Sequence, residues 1–191
     1  MKTFIYFVRH AISPFSLGNE RVRGLSREGK ADADRVAEVL SKEEIDVIAS
    51  SPYTRAIETV QPLANQLGKE IIEFEELRER AIASMRYKID EEELLEAMER
   101  SFADIDFCLG EGETTRQARN RAIPTLKHIL MEHQGNRIAI GTHGNIMTIM
   151  LNYFNENYGF DFFTRTSKPD IYKLEFEDQD LKHVVRLWQP R

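Results

Sequence analysis

Hydrophobic and polar positions follow two periods along this chain, and the switches between them outline its elements. Residues 4–8 are a continuous apolar run rich in aromatic and β-branched side chains, which predicts a buried strand ending on Arg9 and His10. From Ser26, an N-cap by type, to about Ser41 the period becomes helical, with Ala33, Val36, Ala37 and Leu40 on one face. Residues 45–49 predict a second strand. Residues 50–55 then turn into a helix whose buried side carries Ile57, Val60, Leu63 and Ala64, with a kink expected at Pro62. Residues 71–75 predict a third strand. Asp90 and Glu93 stand in capping-box register ahead of Leu94, Leu95 and Met98, so a helix begins there. Thr114 and Gln117 open another that runs to His133, interrupted by Pro124 and closed by Gly135. Residues 137–142 predict a strand leading through His143, Gly144 and Asn145 into an apolar helix over 146–154. Residues 170–176 and 181–188 predict a hairpin.

Strands alternating with helices imply a three-layer α/β/α fold, a mostly parallel sheet with helices on both faces. The segment over about 80–112 is less apolar and ends in Gly110, Glu111 and Gly112. It is expected to be a small cap inserted in a single domain spanning 1–191.

Composition narrows the function. The chain is 41% apolar and 30% charged, as soluble globular proteins are, and its net charge of −6 argues against a general nucleic-acid partner. Its one cysteine, Cys108, excludes an intramolecular disulfide and has no paired spacing for zinc or redox work. Arg9 and His10 interrupt the first apolar run too early for a signal peptide or a membrane span. A cytoplasmic protein without a membrane partner is expected; the oligomeric state is left open.

Chemistry-bearing side chains gather at strand ends and strand-to-helix turns: Arg9 and His10, Arg55, Glu79, and His143. In open α/β sheets that edge is where ligands bind. A metal site is disfavoured by two arginines beside the ligands, and neither a serine-hydrolase elbow nor a nucleotide-binding glycine loop is present. Phosphoryl transfer fits the inventory best. Arg9 and Arg55 suit phosphate oxygens, and a helix starting at Gly144 offers backbone donors. His10 suits a nucleophile, His143 a stabiliser of phosphoryl charge, and Glu79 a proton donor to the leaving alkoxide. The loop after His10 adds Ser13, Asn19, Arg21 and Arg23 as candidates to touch a substrate.

These residues carry a resemblance. Arg9-His10, Gly24-Leu25-Ser26 with Gly29, residues 50–56 with Glu58-Thr59, residues 77–80, Gly112-Glu113-Thr114 and residues 142–145 resemble, in order, the motifs of the histidine phosphatase superfamily, which includes the cofactor-dependent phosphoglycerate mutases. The resemblance implies a phosphohistidine on His10, phosphate contacts from Arg9, Arg55 and His143, proton donation by Glu79, and no metal or other cofactor. It also implies a cap before the Glu113 helix and a phosphorylated small molecule as substrate. The chain departs from the common pattern at Ala11-Ile12, where many members have Gly-Glu. It departs again at Ser16, where an asparagine is frequent; Asn19 lies nearby out of register. The segment after Glu79 lacks features common in mutases. These departures favour a phosphatase over a mutase, with a phospho-ligand binding module as the reading from a different class.

Overall fold

The computed structural model describes residues 1–16, 18–84 and 90–190. In chain order the elements are β1 (Lys2–Arg9), α1 (Arg27–Leu40), β2 (Val47–Ser50), α2 (Thr54–Leu67), β3 (Ile71–Glu73), α3 (Glu91–Ala103), α4 (Thr115–Glu132), β4 (Arg137–Thr142), α5 (Gly144–Phe154), α6 (Phe160–Arg165), β5 (Asp170–Glu177) and β6 (Asp180–Arg186). The strands form one sheet in the order β3-β2-β4-β1-β5-β6. The first four are mutually parallel, β5 runs antiparallel to β1, and β6 pairs antiparallel with β5.

β1 shows why the sheet has two covered faces. Its side chains alternate, so Ile5 and Phe7 join one core while Tyr6 and Val8 join the other. The first core is closed by Ala118, Leu126 and Ile129 of α4 and by Ile146, Met147 and Met150 of α5. The second is closed by Val36 and Leu40 of α1 and Val60 and Leu63 of α2. Each fully buried large apolar side chain contributes about 1.5–3 kcal/mol, so both faces must be covered for the sheet to hold.

The helix starts follow their caps: Ser26 accepts from Gly29 N, Asp90 accepts from Glu93 N, and Thr114 with Gln117 forms a full capping box. Both helices run through their prolines, Pro62 inside α2 and Pro124 inside α4. A proline there loses one backbone hydrogen bond, and the buried faces on either side, Val60 with Leu63 and Ala122 with Leu126, hold the helix together across the gap. The third strand stops at Glu73, and residues 75–77 coil into a 3₁₀ turn that aims the following segment at the sheet edge. Helix α6 was not foreseen, because its six residues are too few to display a period.

Residues 85–89 of the segment expected to form a cap lie outside the described residues. Its two ends are tied together: Leu109 N donates to Ile82 O at 2.9 Å and Glu113 N to Ala81 O at 2.6 Å. Among the described residues, no helix is long and apolar enough to cross a membrane.

Candidate active site

Sheet order decides where the chemistry collects. The chain leaves β1, builds β2 and β3 to one side, then returns through α4 to insert β4 between β2 and β1. The carboxyl ends of β1, β4 and β2 are therefore adjacent. Register does the rest: Arg9 pairs with Thr142 and Ser50 with Gly141, so His10 and His143 are the next residues on neighbouring strands. Their rings meet edge to face with centroids 5.3 Å apart.

The hydrogen bonds around His10 define its tautomer. Its Nδ1 lies 2.7 Å from the Ala11 carbonyl, which can only accept, so Nδ1 carries the proton. Arg55 Nε donates to Nε2 at 3.2 Å, so Nε2 holds a lone pair. His10 is 6% exposed, and burial, reinforced by the Arg55 charge, holds its pKa well below the usual histidine value. The ring is neutral at pH 7, with its Nε2 lone pair turned to Arg55. His143 is fully buried, its Nε2 2.7 Å from Ser51 Oγ, and burial with the charges of neighbouring groups likewise lowers its pKa.

Arg55 sits in the first turn of α2, just past β2, and is 2% exposed. Its remaining bonds go to Glu20: Nη1 to the backbone carbonyl, and Nη2 3.4 Å from the carboxylate. Arg9 extends from the end of β1 to the carbonyl of Thr166 at 3.1 Å and to the Thr166 hydroxyl, with the Phe163 ring 5.5 Å from Cζ. Gly144 lets this happen, since a Cβ there would lie 2.7 Å from Arg9 Cζ. Burial lowers the pKa of both arginines, yet both remain cations at any working pH.

Glu79 occupies the start of α5. It accepts from Ile146 N at 2.9 Å, Asn145 N at 3.2 Å and its neighbour Arg80 N at 2.9 Å. This corrects one expectation: the α5 amides taken to be open to a phosphate are bonded to Glu79. A helix N-terminus attracts an anion, and the chain supplies its own. The backbone behind Glu79 is held by Arg121 of α4, which donates to the carbonyls of Glu76, Arg78 (3.0 Å) and Glu79 (3.5 Å). Arg121 is itself paired with Glu113 at 2.6 and 2.8 Å. Among the described residues, buried Arg80 has only neutral acceptors, Ser101, Thr115 and the Glu113 carbonyl among them, and its pKa falls to about 10 through burial.

The loop candidates divide. Ser13 donates to the Gly24 carbonyl at 2.7 Å and accepts from Arg23 Nη1 at 2.6 Å, so it shapes the loop beside His10. Arg23 also bonds Glu20 at 3.1 Å and is close enough for its charge to act on Arg55 and His143. Asn19 is exposed, its amide bonded to Ser16 Oγ at 3.0 Å, and Arg21 points away to Glu75 at 2.7 Å. The structure thus gathers Arg9, His10, Arg55, Glu79, His143 and Gly144, with Ser13 and Arg23 in support, and leaves Asn19 and Arg21 at the surface.

Four residues were missed from sequence. Tyr53 stacks edge to face on His143 at 5.2 Å and lies 5.0 Å from Arg55 Cζ. Glu20, Thr166 and Lys168 complete the surroundings; Lys168 acts electrostatically on Arg9, Arg23 and Arg55. Tyr53 was the most findable, two residues before Arg55 in the same turn. An open groove of about 440 Å³ passes Tyr53, Glu79, Gly112 and Gln117, offering room beside Glu79 for the rest of a substrate.

This fold, with two buried imidazoles and two arginines at the carboxyl edge of a parallel sheet, defines a class that comparison confirms. The family model of the histidine phosphatase superfamily, branch 1, matches residues 5–189, and the chain belongs to that family. Among its relatives it is 33% identical over 156 residues to phosphoglycerate mutase-like protein 4 of Arabidopsis thaliana, covering 75% of this chain and 67% of that one. It is 31% identical over 158 residues to the metal-independent phosphoserine phosphatase of the same plant, covering 76% and 66%. The chain thus spans about two thirds of the length of each. The solved structure of a mycobacterial glucosyl-3-phosphoglycerate phosphatase shares its fold, with a TM-score of 0.75 over 98% of this chain and 99% of the other at 16% identity.

Proposed function

We propose that the protein is a phosphatase that hydrolyses phosphomonoesters through a phosphohistidine on His10. The observation that carries this is the His10 ring: Nδ1 donates to Ala11, and the Nε2 lone pair faces Arg55. His10 Nε2 attacks phosphorus as the ester P–O bond breaks. Glu79 gives the leaving oxygen its proton. Water then attacks phosphorus as the P–N bond breaks, Glu79 takes a proton from that water, and inorganic phosphate departs with the lone pair back on His10 Nε2. Arg9, Arg55 and His143 hold the phosphoryl oxygens, whose charge they meet in a site already shielded from water. Family membership and the plant relative described as a metal-independent phosphoserine phosphatase support this reading, and no step draws on a cofactor. Hydrolysis rather than return of the phosphate to an acceptor is supported by Ala11, Ile12 and Ser16, where the chain leaves the commoner pattern.

Rapid quenching with a ³²P-labelled phosphomonoester is the test. The wild type is expected to carry acid-labile, base-stable label, and His10→Ala to lose the label and about 10³-fold or more of kcat. Label or near-normal turnover surviving in His10→Ala would overturn the mechanism.

A further inference from the structure

Four buried residues close a ring of hydrogen bonds behind the imidazole of His10. Arg55 Nε donates to His10 Nε2 at 3.2 Å, and His10 Nδ1 donates to the Ala11 carbonyl at 2.7 Å. Ala11 N in turn donates to Thr59 Oγ1 at 3.0 Å, and the Thr59 hydroxyl donates to the Arg55 carbonyl at 2.7 Å, which returns the ring to its start. Every direction in it is forced. A carbonyl only accepts and a guanidinium only donates, so the Thr59 proton goes to Arg55, its lone pair to Ala11, and the His10 proton to Nδ1.

Packing gives no reason for a hydroxyl at position 59. Its neighbours on the buried face of α2, Ala56, Val60 and Leu63, are apolar, and valine has the same shape as threonine. A threonine bonded to the carbonyl four residues back slightly weakens a helix. What the hydroxyl adds is an acceptor for the buried Ala11 amide, 48 residues away. On its other side Ala11 is held through Ile12, whose carbonyl accepts from Ser26 N at 2.9 Å. The Ala11 carbonyl is thereby fixed from both ends. That matters once a phosphoryl group arrives. His10 Nε2 must leave Arg55 Nε to reach phosphorus, and a phosphate oxygen can itself accept a proton from Nε2. The imidazole then stands between two acceptors, and the Ala11 carbonyl is the one that keeps the proton on Nδ1 and the lone pair on Nε2.

We infer that Thr59 is a positioning residue: by holding the Ala11 amide it aims the Ala11 carbonyl at His10 Nδ1 and so keeps the proton off the attacking nitrogen. It is fully buried and acts through the backbone of Ala11. The catalytic consequence rests on the phosphatase reading above; the tautomer of the ring does not.

Two variants test it: Thr59→Val keeps the shape and removes the acceptor, and Thr59→Ser keeps the hydroxyl and removes a methyl group. Protein carrying ¹⁵N in its five histidine rings distinguishes the Nδ1–H from the Nε2–H tautomer by NMR, the His10 signals being those lost in His10→Ala. Spectra are taken without ligand and with saturating inorganic phosphate, whose binding is read from the shift of the wild-type His10 signals. With phosphate bound, the wild type and Thr59→Ser are expected to hold His10 as Nδ1–H, and Thr59→Val to show a mixture with Nε2–H. On p-nitrophenyl phosphate, kcat of Thr59→Val is expected to fall about 10- to 100-fold, as displacements near 1 Å do, with KM changed less than about threefold. Thr59→Ser is expected to lose stability in urea yet keep kcat within about threefold of wild type, the result a merely structural threonine would not give. A Thr59→Val ring spectrum equal to that of wild type, or a kcat in Thr59→Ser as low as in Thr59→Val, overturns the inference while leaving the phosphatase reading intact. If Thr59→Val does not fold, Thr59→Ser decides alone: kcat retained at lowered stability supports the role, and kcat lost overturns it. No turnover and no label on wild-type His10 overturns the phosphatase reading, and the phosphate-shifted ring spectra then still decide the part played by Thr59. No shift with phosphate and no label overturns both.

Discussion

Gly144 is where a single atom decides the site. The Arg9 guanidinium crosses the first turn of α5 so closely that a Cβ at Gly144 would meet Cζ at 2.7 Å and Nε at 2.8 Å. The obstacle is a side-chain tip, so Gly144→Ala is expected to displace Arg9 and leave the backbone in place. Alanine also gains up to about 1 kcal/mol of helix propensity over glycine. Stability in urea should therefore stay within about 1 kcal/mol of wild type, while kcat/KM for a simple aryl phosphate falls about 10- to 100-fold, as displacements near 1 Å do. Equal losses of stability and activity would mean that the glycine serves the fold instead. The same residue marks what the sequence made legible. Arg9, His10, Arg55 and His143 each end a strand or open a helix, and Glu79 follows shortly after the third strand, so their local signals sufficed to propose them. Lys168 has no such signal. It approaches Arg9 only because β5 turns back antiparallel along β1, a pairing across about 160 residues that no local pattern encodes.

At the level of elements, the site depends on how α4 grips the segment between β3 and α3. Arg121 donates to three successive stretches of that backbone and is locked by Glu113, so Glu79 is presented to α5 on a fixed arm. Lysine at 121 keeps the charge but loses the planar fork. Arg121→Lys is expected to cost about 1–2 kcal/mol of stability through weakened bonds to a charged group, and to lower kcat about tenfold with KM changed less than threefold. A purely structural arginine would leave kcat per folded molecule unaltered, and that result would remove Arg121 from any positioning role. The elements themselves were foreseen wherever a period ran for several residues. The prolines did not hide α2 or α4, whose one-sided apolar periods run across Pro62 and Pro124. The occupation of the α5 amides by Glu79 was not legible, since the two partners lie 66 and 67 residues apart.

The molecule as a whole carries its two buried imidazoles as a pH-dependent load. His10 and His143 are buried with pKa values held well below the usual histidine value, by desolvation first and neighbouring positive charge second. In the unfolded chain each would bind a proton near pH 6.5. Between that value and the depressed folded one the unfolded state binds more protons, so stability rises with pH across this window. As pH falls below about 6.5, stability should drop by about 1.4 kcal/mol per pH unit for each imidazole until the folded groups protonate in turn. The carboxylates with lowered pKa, such as Glu43, Glu75 and Asp106, add their losses only at lower pH, around and below their ordinary values near 4. Urea unfolding at pH 7, 6 and 5 therefore isolates the two histidines, provided the buffers contain no phosphate that would stabilise the native state by binding. The wild type is expected to lose about 2–3 kcal/mol per unit between pH 6 and 5, and His143→Gln about half as much. A wild-type curve that stays flat over that window would mean that the imidazoles titrate normally in the folded protein, and the neutral His10 on which the proposed attack depends would then be lost.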